Sequence, residues 1–248
     1  MKQTKEQIYS AYGIMYDRKT EKIFHPYFGW IRTLLINGND KLGRGVYTYS
    51  TLATNECYHV DLETVSGPVH FDMFGTCPCR CTGCYATKGR YTFQNVIKAN
   101  ARKTWLSRYD IDFMVRAIIA QVNADHIKIC RIHASGDFDS MAYVNAWRRI
   151  VKECPDTTFL CFTKRYNVVN SYIDNNGPLP RNLKVLFSGW HNLKPINPHN
   201  LPETTVYKRH EMPDPNWLLC GGNCSECSCR GCGCWKAEKG ETIAFKIH

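Results

Sequence analysis

Ile127-Lys-Ile-Cys-Arg-Ile-His-Ala-Ser-Gly-Asp137 is the stretch on which the fold turns. Its first six residues have the β-branched and apolar content of a strand, and they run into a short polar loop carrying a glycine. The rhythm then repeats. Residues 139–153 read as a helix that Pro155 stops, and Thr158-Phe-Leu-Cys-Phe-Thr163 is a second strand, ending in Thr163-Lys164. A helix over about 167–174 is closed by Asn175-Asn-Gly177, and Leu183-Lys-Val-Leu-Phe187 is a strand ending in Ser188-Gly-Trp190. Upstream, Pro68-Val-His-Phe-Asp-Met-Phe74 reads as a strand feeding directly into a cysteine loop. Helices are expected over 93–106 and over 110–123, where Ile111, Met114, Val115, Ile118, Ile119 and Val122 recur at helical spacing. Residues 45–51, 205–208 and 242–246 have the composition of further strands.

Strands alternating with helices predict parallel β/α units. Four or five repeats can be placed before the pattern stops at Trp190. The expected fold is therefore α/β: an incomplete (β/α) barrel of parallel strands over 65–190. An irregular and β-containing extension (1–64) precedes it, and a cysteine-rich metal-binding extension (191–248) follows. Barrels of this kind carry their sites on the loops after the strands' C-terminal ends. The cysteine loop, Ser135-Gly136-Asp137, Thr163-Lys164 and Ser188-Gly-Trp190 all fall at that position.

Of fourteen cysteines, ten lie in two short clusters, 77–84 and 220–234. Cysteines one to three residues apart are badly placed to bridge one another and well placed to converge on a metal. Cys130, Cys154 and Cys161 lie in apolar segments and read as core residues. In the first cluster Cys77, Cys81 and Cys84 have C-x3-C-x2-C spacing, with Cys79 inside it. Three thiolates can hold three irons of a cubane and leave the fourth open. A zinc site using Cys79 as a fourth ligand and a redox Cys81-x2-Cys84 pair are the alternatives. The second cluster offers Cys220, Cys224, Cys227, Cys229, Cys232 and Cys234, interleaved with glycines. It suits an auxiliary [4Fe-4S] cluster or zinc, and spacing does not say which four of the six bind.

Strand, C-x3-C-x2-C, helix, then a second strand ending in a glycine–acid pair resembles the radical S-adenosylmethionine (SAM) superfamily. The resemblance implies that Cys77, Cys81 and Cys84 hold a [4Fe-4S] cluster whose open iron SAM chelates. Reductive cleavage would then give a 5′-deoxyadenosyl radical that abstracts hydrogen from a substrate, with an electron donor such as a flavodoxin or ferredoxin. By position, Ser135, Gly136 and Asp137 would meet the SAM ammonium, with Asp in place of the family's Glu. Lys164 would pair with the SAM carboxylate, and Ser188 would contact the ribose. Tyr85 is a further cofactor-binding candidate: it follows the third cysteine, where many members carry an aromatic residue before it. This C-x-G-C-Y form resembles the activating enzymes of anaerobic ribonucleotide reductase. Cys77-Pro, Cys84-Tyr-Ala86, Arg131-Ile-His-Ala-Ser-Gly-Asp137, Phe162-Thr-Lys164 and the ending Ala244-Phe-Lys-Ile-His248 together resemble the phage-associated gene product 88 family, over roughly residues 65–248.

The formal charge is +10. Lys88, Arg90, Lys98, Arg102, Lys103 and Arg108 lie between Tyr85 and Tyr109 without an acid, which fits either a solvated helix face or contact with a nucleotide, nucleic acid or phosphorylated substrate. A zinc-stabilised nucleic-acid-binding module without catalysis is the rival reading. His133 with Asp137 offers acid–base chemistry, or His133 simply caps a strand end. No apolar run approaches about 18 residues and the start lacks the apolar core of a signal peptide, so a cytoplasmic protein without a membrane partner is expected.

Overall fold

The computed structural model describes residues 3–38, 42–43, 45–190, 193–208, 210–222 and 233–246. The N-terminal part holds helix α1 (Lys5–Ala11) and a three-stranded antiparallel sheet, β1 (Tyr16–Asp17), β2 (Lys22–His25) and β3 (Gly29–Arg32). Next come β4 (Ile36–Asn37), β5 (Val46–Tyr49) and a hairpin of β6 (Cys57–Thr64) and β7 (Gly67–Phe74). The β/α region follows as α2 (Gln94–Tyr109), α3 (Ile111–Ala124), β8 (Ile129–Ile132), α4 (Met141–Glu153), β9 (Thr158–Thr163), α5 (Tyr166–Asn176) and β10 (Leu183–Ser188). The chain closes with β11 (Glu203–Tyr207), β12 (Leu218–Leu219), the short helix α6 (Gly233–Lys236) and β13 (Thr242–Lys246).

The principal sheet has eight strands in the order β12-β13-β11-β10-β9-β8-β5-β4. Every neighbouring pair is parallel except the edge pair β4–β5. Both faces of its centre are covered, as a parallel sheet requires. Phe159 and Phe187 meet Trp147 of α4 and Tyr166 of α5 at ring separations of 6.3 and 5.0 Å. Side chains alternate across a strand, so Leu160 and Leu186 turn to the other face, where they pack with Ile243, Cys234 and Ala237. The core is continuous with the N-terminal part: Tyr9, Ile23, Phe28 and Ile31 belong to the same buried cluster as α3 and α4. Cys130, Cys154 and Cys161 are buried in it, as their sequence setting implies.

The expected helices form, and two carry side-chain caps. Asp110 accepts from the Phe113 amide (3.1 Å) at the start of α3, and Ser140 accepts from the Tyr143 amide (3.2 Å) at the start of α4. The segment 68–74 departs from expectation. It is a strand, but not one of the parallel set: it pairs antiparallel with β6, from Cys57↔Phe74 to Thr64↔Gly67. The place beside β8 belongs to β5, in register Val46↔Ile129 to Tyr49↔Ile132. The physical reason is the pattern. Val69, Phe71 and Met73 alternate with His70 and Asp72, which suits a strand with one wet face, whereas the central parallel strands β9 and β10 are largely apolar runs. The hairpin is an insertion between a sheet strand and its rim loop.

The basic stretch is partly spent inside the fold. Arg108 pairs with Asp139, Arg102 lies 5.5 Å from the Phe28 ring centre, and Lys103 is buried with its ammonium 5.4 Å above the Tyr49 ring. Burial pushes Lys103 down to about 8 from the ordinary 10.5. Below pH 8 the folded state carries this charge at a cost, and the cost fades as pH rises from 8 towards 10.5, where the unfolded state also loses its proton. Lys103→Met is accordingly expected to raise unfolding free energy at pH 7 by about 1–3 kcal/mol, with a smaller gain at pH 10. Urea titrations at the two pH values measure both, and a loss at pH 7 would refute the assignment.

Candidate metal and cofactor site

After the hairpin the chain returns to the C-terminal end of β5. The Gly75 amide donates to Glu56 O (3.0 Å), Thr76 N to Leu52 O (3.0 Å) and Cys77 N to Thr54 O (3.1 Å). Gly75 has no alternative here, because a Cβ would lie 1.9 Å from Ala53 O. The cysteine loop therefore starts on the same rim as the loops after β8, β9 and β10, although its preceding strand is not in the sheet.

Thr76 joins these loops. Its buried hydroxyl donates to Leu52 O (3.0 Å) and accepts from the Asp137 amide (2.8 Å). With its only proton committed, its 3.0 Å contact with Thr51 Oγ1 takes the Thr51 proton. The Thr76 carbonyl accepts from Nε and Nη2 of Arg165, at 3.1 and 3.0 Å. Trp190, after β10, donates from Nε1 to Thr82 O (3.2 Å). Gly136 has φ +87°, and a Cβ on it would stand 1.9 Å from Thr51 Oγ1 and 2.8 Å from Thr76 Oγ1. This position needs glycine twice over, for its conformation and for the close approach.

The site residues named from sequence have definite places on this rim. Ser135 is buried, donates to Thr51 O (3.1 Å) and accepts from Thr51 N (2.9 Å). Asp137 is buried. Its Oδ1 accepts from Phe138 N (2.7 Å) and Thr163 Oγ1 (2.5 Å), and its Oδ2 from Lys164 N (2.7 Å). Burial still holds its carboxyl above the usual range. Three of its roughly four acceptor positions are filled. Lys164 Nζ donates to Ser188 Oγ (2.8 Å) and lies 5.6 Å from the Trp190 ring centre. Tyr85 donates to Ala134 O (2.6 Å), as does Tyr91 (3.2 Å), and the Tyr85 ring is exposed.

Cys77, Cys79, Cys81 and Cys84 are half-buried thiols. Burial pushes Cys77 up, the Asp137 charge adds to this, and Lys164 opposes it; Cys81 is raised by burial in the same field. A metal must therefore displace protons to bind here. The donor set is sulfur alone, which suits a thiophilic metal or cluster. Cys79 Sγ lies 3.7 Å from Cys81 Sγ, but no three of the four sulfurs lie within 4.8 Å of one another. Such a set of thiols serves zinc and iron–sulfur clusters alike.

His133 belongs to the core rather than the rim. It is buried, its Nε2 lies 3.0 Å from Tyr143 Oη, and its Nδ1 is 3.5 Å from Cys161 Sγ. Of the second cysteine cluster, Cys220 donates its amide to Ala244 O (2.9 Å), and Cys234 is buried beside Leu160 and Leu186. Cys224, Cys227, Cys229 and Cys232 lie outside the described residues. A groove of about 500 Å³ opens at the other end of the strands, between Leu183, Pro202 and Lys239, away from the loop cysteines. No described helix is long and apolar enough to cross a membrane.

The family model of gene product 88 matches residues 33–235. The chain belongs to the gene product 88 family. The match begins upstream of the segment expected to carry the likeness, so β4, β5 and the hairpin are part of the family's unit. It ends before β13. Comparison with curated proteins and with solved structures finds no match.

Sequence reasoning overlooked Thr51, Thr76 and Arg165, which with Thr163 lock this gene product 88 rim together. Only their adjacency to Cys77, Lys164 and the end of β5 marks them in the sequence. Thr76→Val keeps the shape but leaves the Asp137 amide and the Thr51 hydroxyl unpaired, and is expected to cost about 2–4 kcal/mol. Thr82→Val, at an exposed hydroxyl, should stay within about 0.5 kcal/mol. Equal urea midpoints for the two variants would refute the lock. Burial holds His133 down to about 3, from an ordinary 6.5. The unfolded chain takes up this proton below 6.5 and the folded one does not, so the stability secured by neutral His133 is full above 6.5 and drains as pH falls towards 3. Ring ¹⁵N shifts should show His133 still neutral at about pH 4.5, where an ordinary histidine is charged.

Proposed function

We propose that this rim is an iron–sulfur site that binds SAM, and that the chain is a radical SAM enzyme built on an incomplete (β/α) barrel. What carries the reading is the convergence of Cys77, Cys81 and Cys84 with Asp137, Lys164 and Ser188 on loops that Thr76 and Arg165 tie together. Cys77, Cys81 and Cys84 would hold the cluster. When bound, a reduced [4Fe-4S] cluster supplies the electron for reductive cleavage of SAM. The protein's own part is positioning. Lys164 offers its ammonium to a carboxylate and Ser188 its hydroxyl to a ribose. Asp137, held by Thr163 and the Lys164 amide, keeps one acceptor position for an ammonium group. Tyr85 and Tyr91, with ring centres 5.7 Å apart, offer aromatic surface beside the loop.

In this reading the C-terminal cysteines hold a second iron–sulfur cluster, a flavodoxin or ferredoxin supplies the electrons, and the enzyme works in the cytoplasm. Exposed Lys88 and Arg90 next to the loop favour a nucleotide or phosphorylated substrate. A nucleic-acid-binding zinc module draws less support, since Arg102, Lys103 and Arg108 are engaged within the fold. The test is anaerobic reconstitution with iron and sulfide, reduction, addition of SAM and measurement of 5′-deoxyadenosine. Wild type is expected to produce it. The Cys77→Ala, Cys81→Ala, Cys84→Ala triple variant should produce none while keeping the metal of the second cluster. A reducible wild-type cluster that neither binds nor cleaves SAM overturns the reading.

A further inference from the structure

The hairpin that displaces the expected parallel strand has two unlike faces. Tyr58, Val60, Leu62, Phe71 and Met73 turn inward and join the core. The register Cys57↔Phe74, His59↔Asp72 and Asp61↔His70 then sets a thiol, two imidazoles and two carboxylates on the outer face. Ligand atoms of Cys57, His59 and Asp72 all lie within 4.8 Å of one another, the one such group among the described residues. His59 Nδ1 is 2.5 Å from Asp72 Oδ1, and His70 Nε2 is 3.3 Å from the same oxygen. Asp61 Oδ1 lies 2.7 Å from His70 Nδ1, which leaves Nε2 facing the group.

We propose that Cys57, His59 and Asp72 form a zinc-type divalent metal site on this hairpin, separate from both cysteine clusters. One thiolate, one imidazole and one carboxylate are the donor types zinc accepts. Donors around a tetrahedral zinc stand about 3.3–3.8 Å apart, so closure from 4.8 Å needs only small rotations of exposed side chains. Metal replaces the proton shared by His59 and Asp72 and the proton of the Cys57 thiol. Water fills the fourth position with His70 alongside, and the Asp61–His70 pair has the form of the carboxylate–histidine contacts that orient ligands at metal sites. Read as ion pairs alone, these exposed His–Asp contacts would stabilise the fold little, and such pairs have no use for the thiol. The site would also tie β6 to β7 at the base of the hairpin. Glu56, next to Cys57, accepts from the Gly75 amide and pairs with Arg80 of the cysteine loop. Metal on the hairpin would thus stiffen the entry to the rim. The inference does not depend on what the rim binds.

The full-length chain, stripped with a chelator under reducing conditions, is titrated with zinc, and bound metal is counted after gel filtration. Cys57→Ser, His59→Ala and Asp72→Asn are each expected to bind one equivalent less than wild type. Glu63→Gln, on the same face but remote from the group, should bind as wild type does. Iron uptake on reconstitution should be equal in all. His59 and Asp72 are exposed, so metal-free variants should match metal-free wild type in circular dichroism and melting. Zinc should then raise the wild-type midpoint but not that of His59→Ala. Equal zinc stoichiometry across the proteins, or equal loss in Glu63→Gln, overturns the proposal.

Discussion

The saturated hydrogen bonding of Thr76 is the constraint on which the rim depends. One hydroxyl and one carbonyl connect the end of β5, the loop after β8 and the loop after β9 to the residue preceding Cys77. A buried hydroxyl that has donated once and accepted twice has no freedom left, and loss of any partner leaves a polar group stranded in a dry environment. Glycine at 75 and 136 follows from the same requirement, because a Cβ would meet the Ala53 carbonyl at the first and the Thr51 and Thr76 hydroxyls at the second. The cysteine loop is thus held at its root by backbone and hydroxyl groups.

The hairpin gives the rim a second support. It is inserted where a parallel β/α unit would run from strand straight into loop, and it brings the chain back to the point it left. Its inner face completes the core over α2, while its outer face carries the histidines and acids that sequence reading passed over. The sheet's other face is closed by a different device. Cys234 and Ala237 of the C-terminal segment pack with Leu160, Leu186 and Ile243 on that face.

The β/α rhythm from Ile127 to Phe187 was legible because the central parallel strands β9 and β10 are largely apolar runs and each helix has a clear 3.6-residue stripe. Helix α4 stops ahead of Pro155, and α5 closes at Asn175-Asn-Gly177. The gathering of Asp137, Lys164 and Ser188 near the loop cysteines was legible as well, since strand-end loops of parallel sheets share a rim. Strand 68–74 was assigned by composition, and its alternation of wet and dry residues, the mark of a hairpin, was overlooked. His133, which follows a strand, suits either acid–base chemistry or a strand-end cap by sequence; it lies buried in the core, 3.0 Å from Tyr143 Oη.

By itself the sequence determined local matters: where helices and strands form, which cysteines sit in apolar segments, and which polar residues end strands. These follow from periodicity and turn chemistry within a few residues. Only the tertiary structure decided that β5 stands beside β8, that Lys103 is buried, that Thr76 joins three loops, and that Cys57, His59 and Asp72 share a face. Those outcomes depend on strand register and on contacts between residues from 13 to 89 positions apart, and no local pattern carries that information.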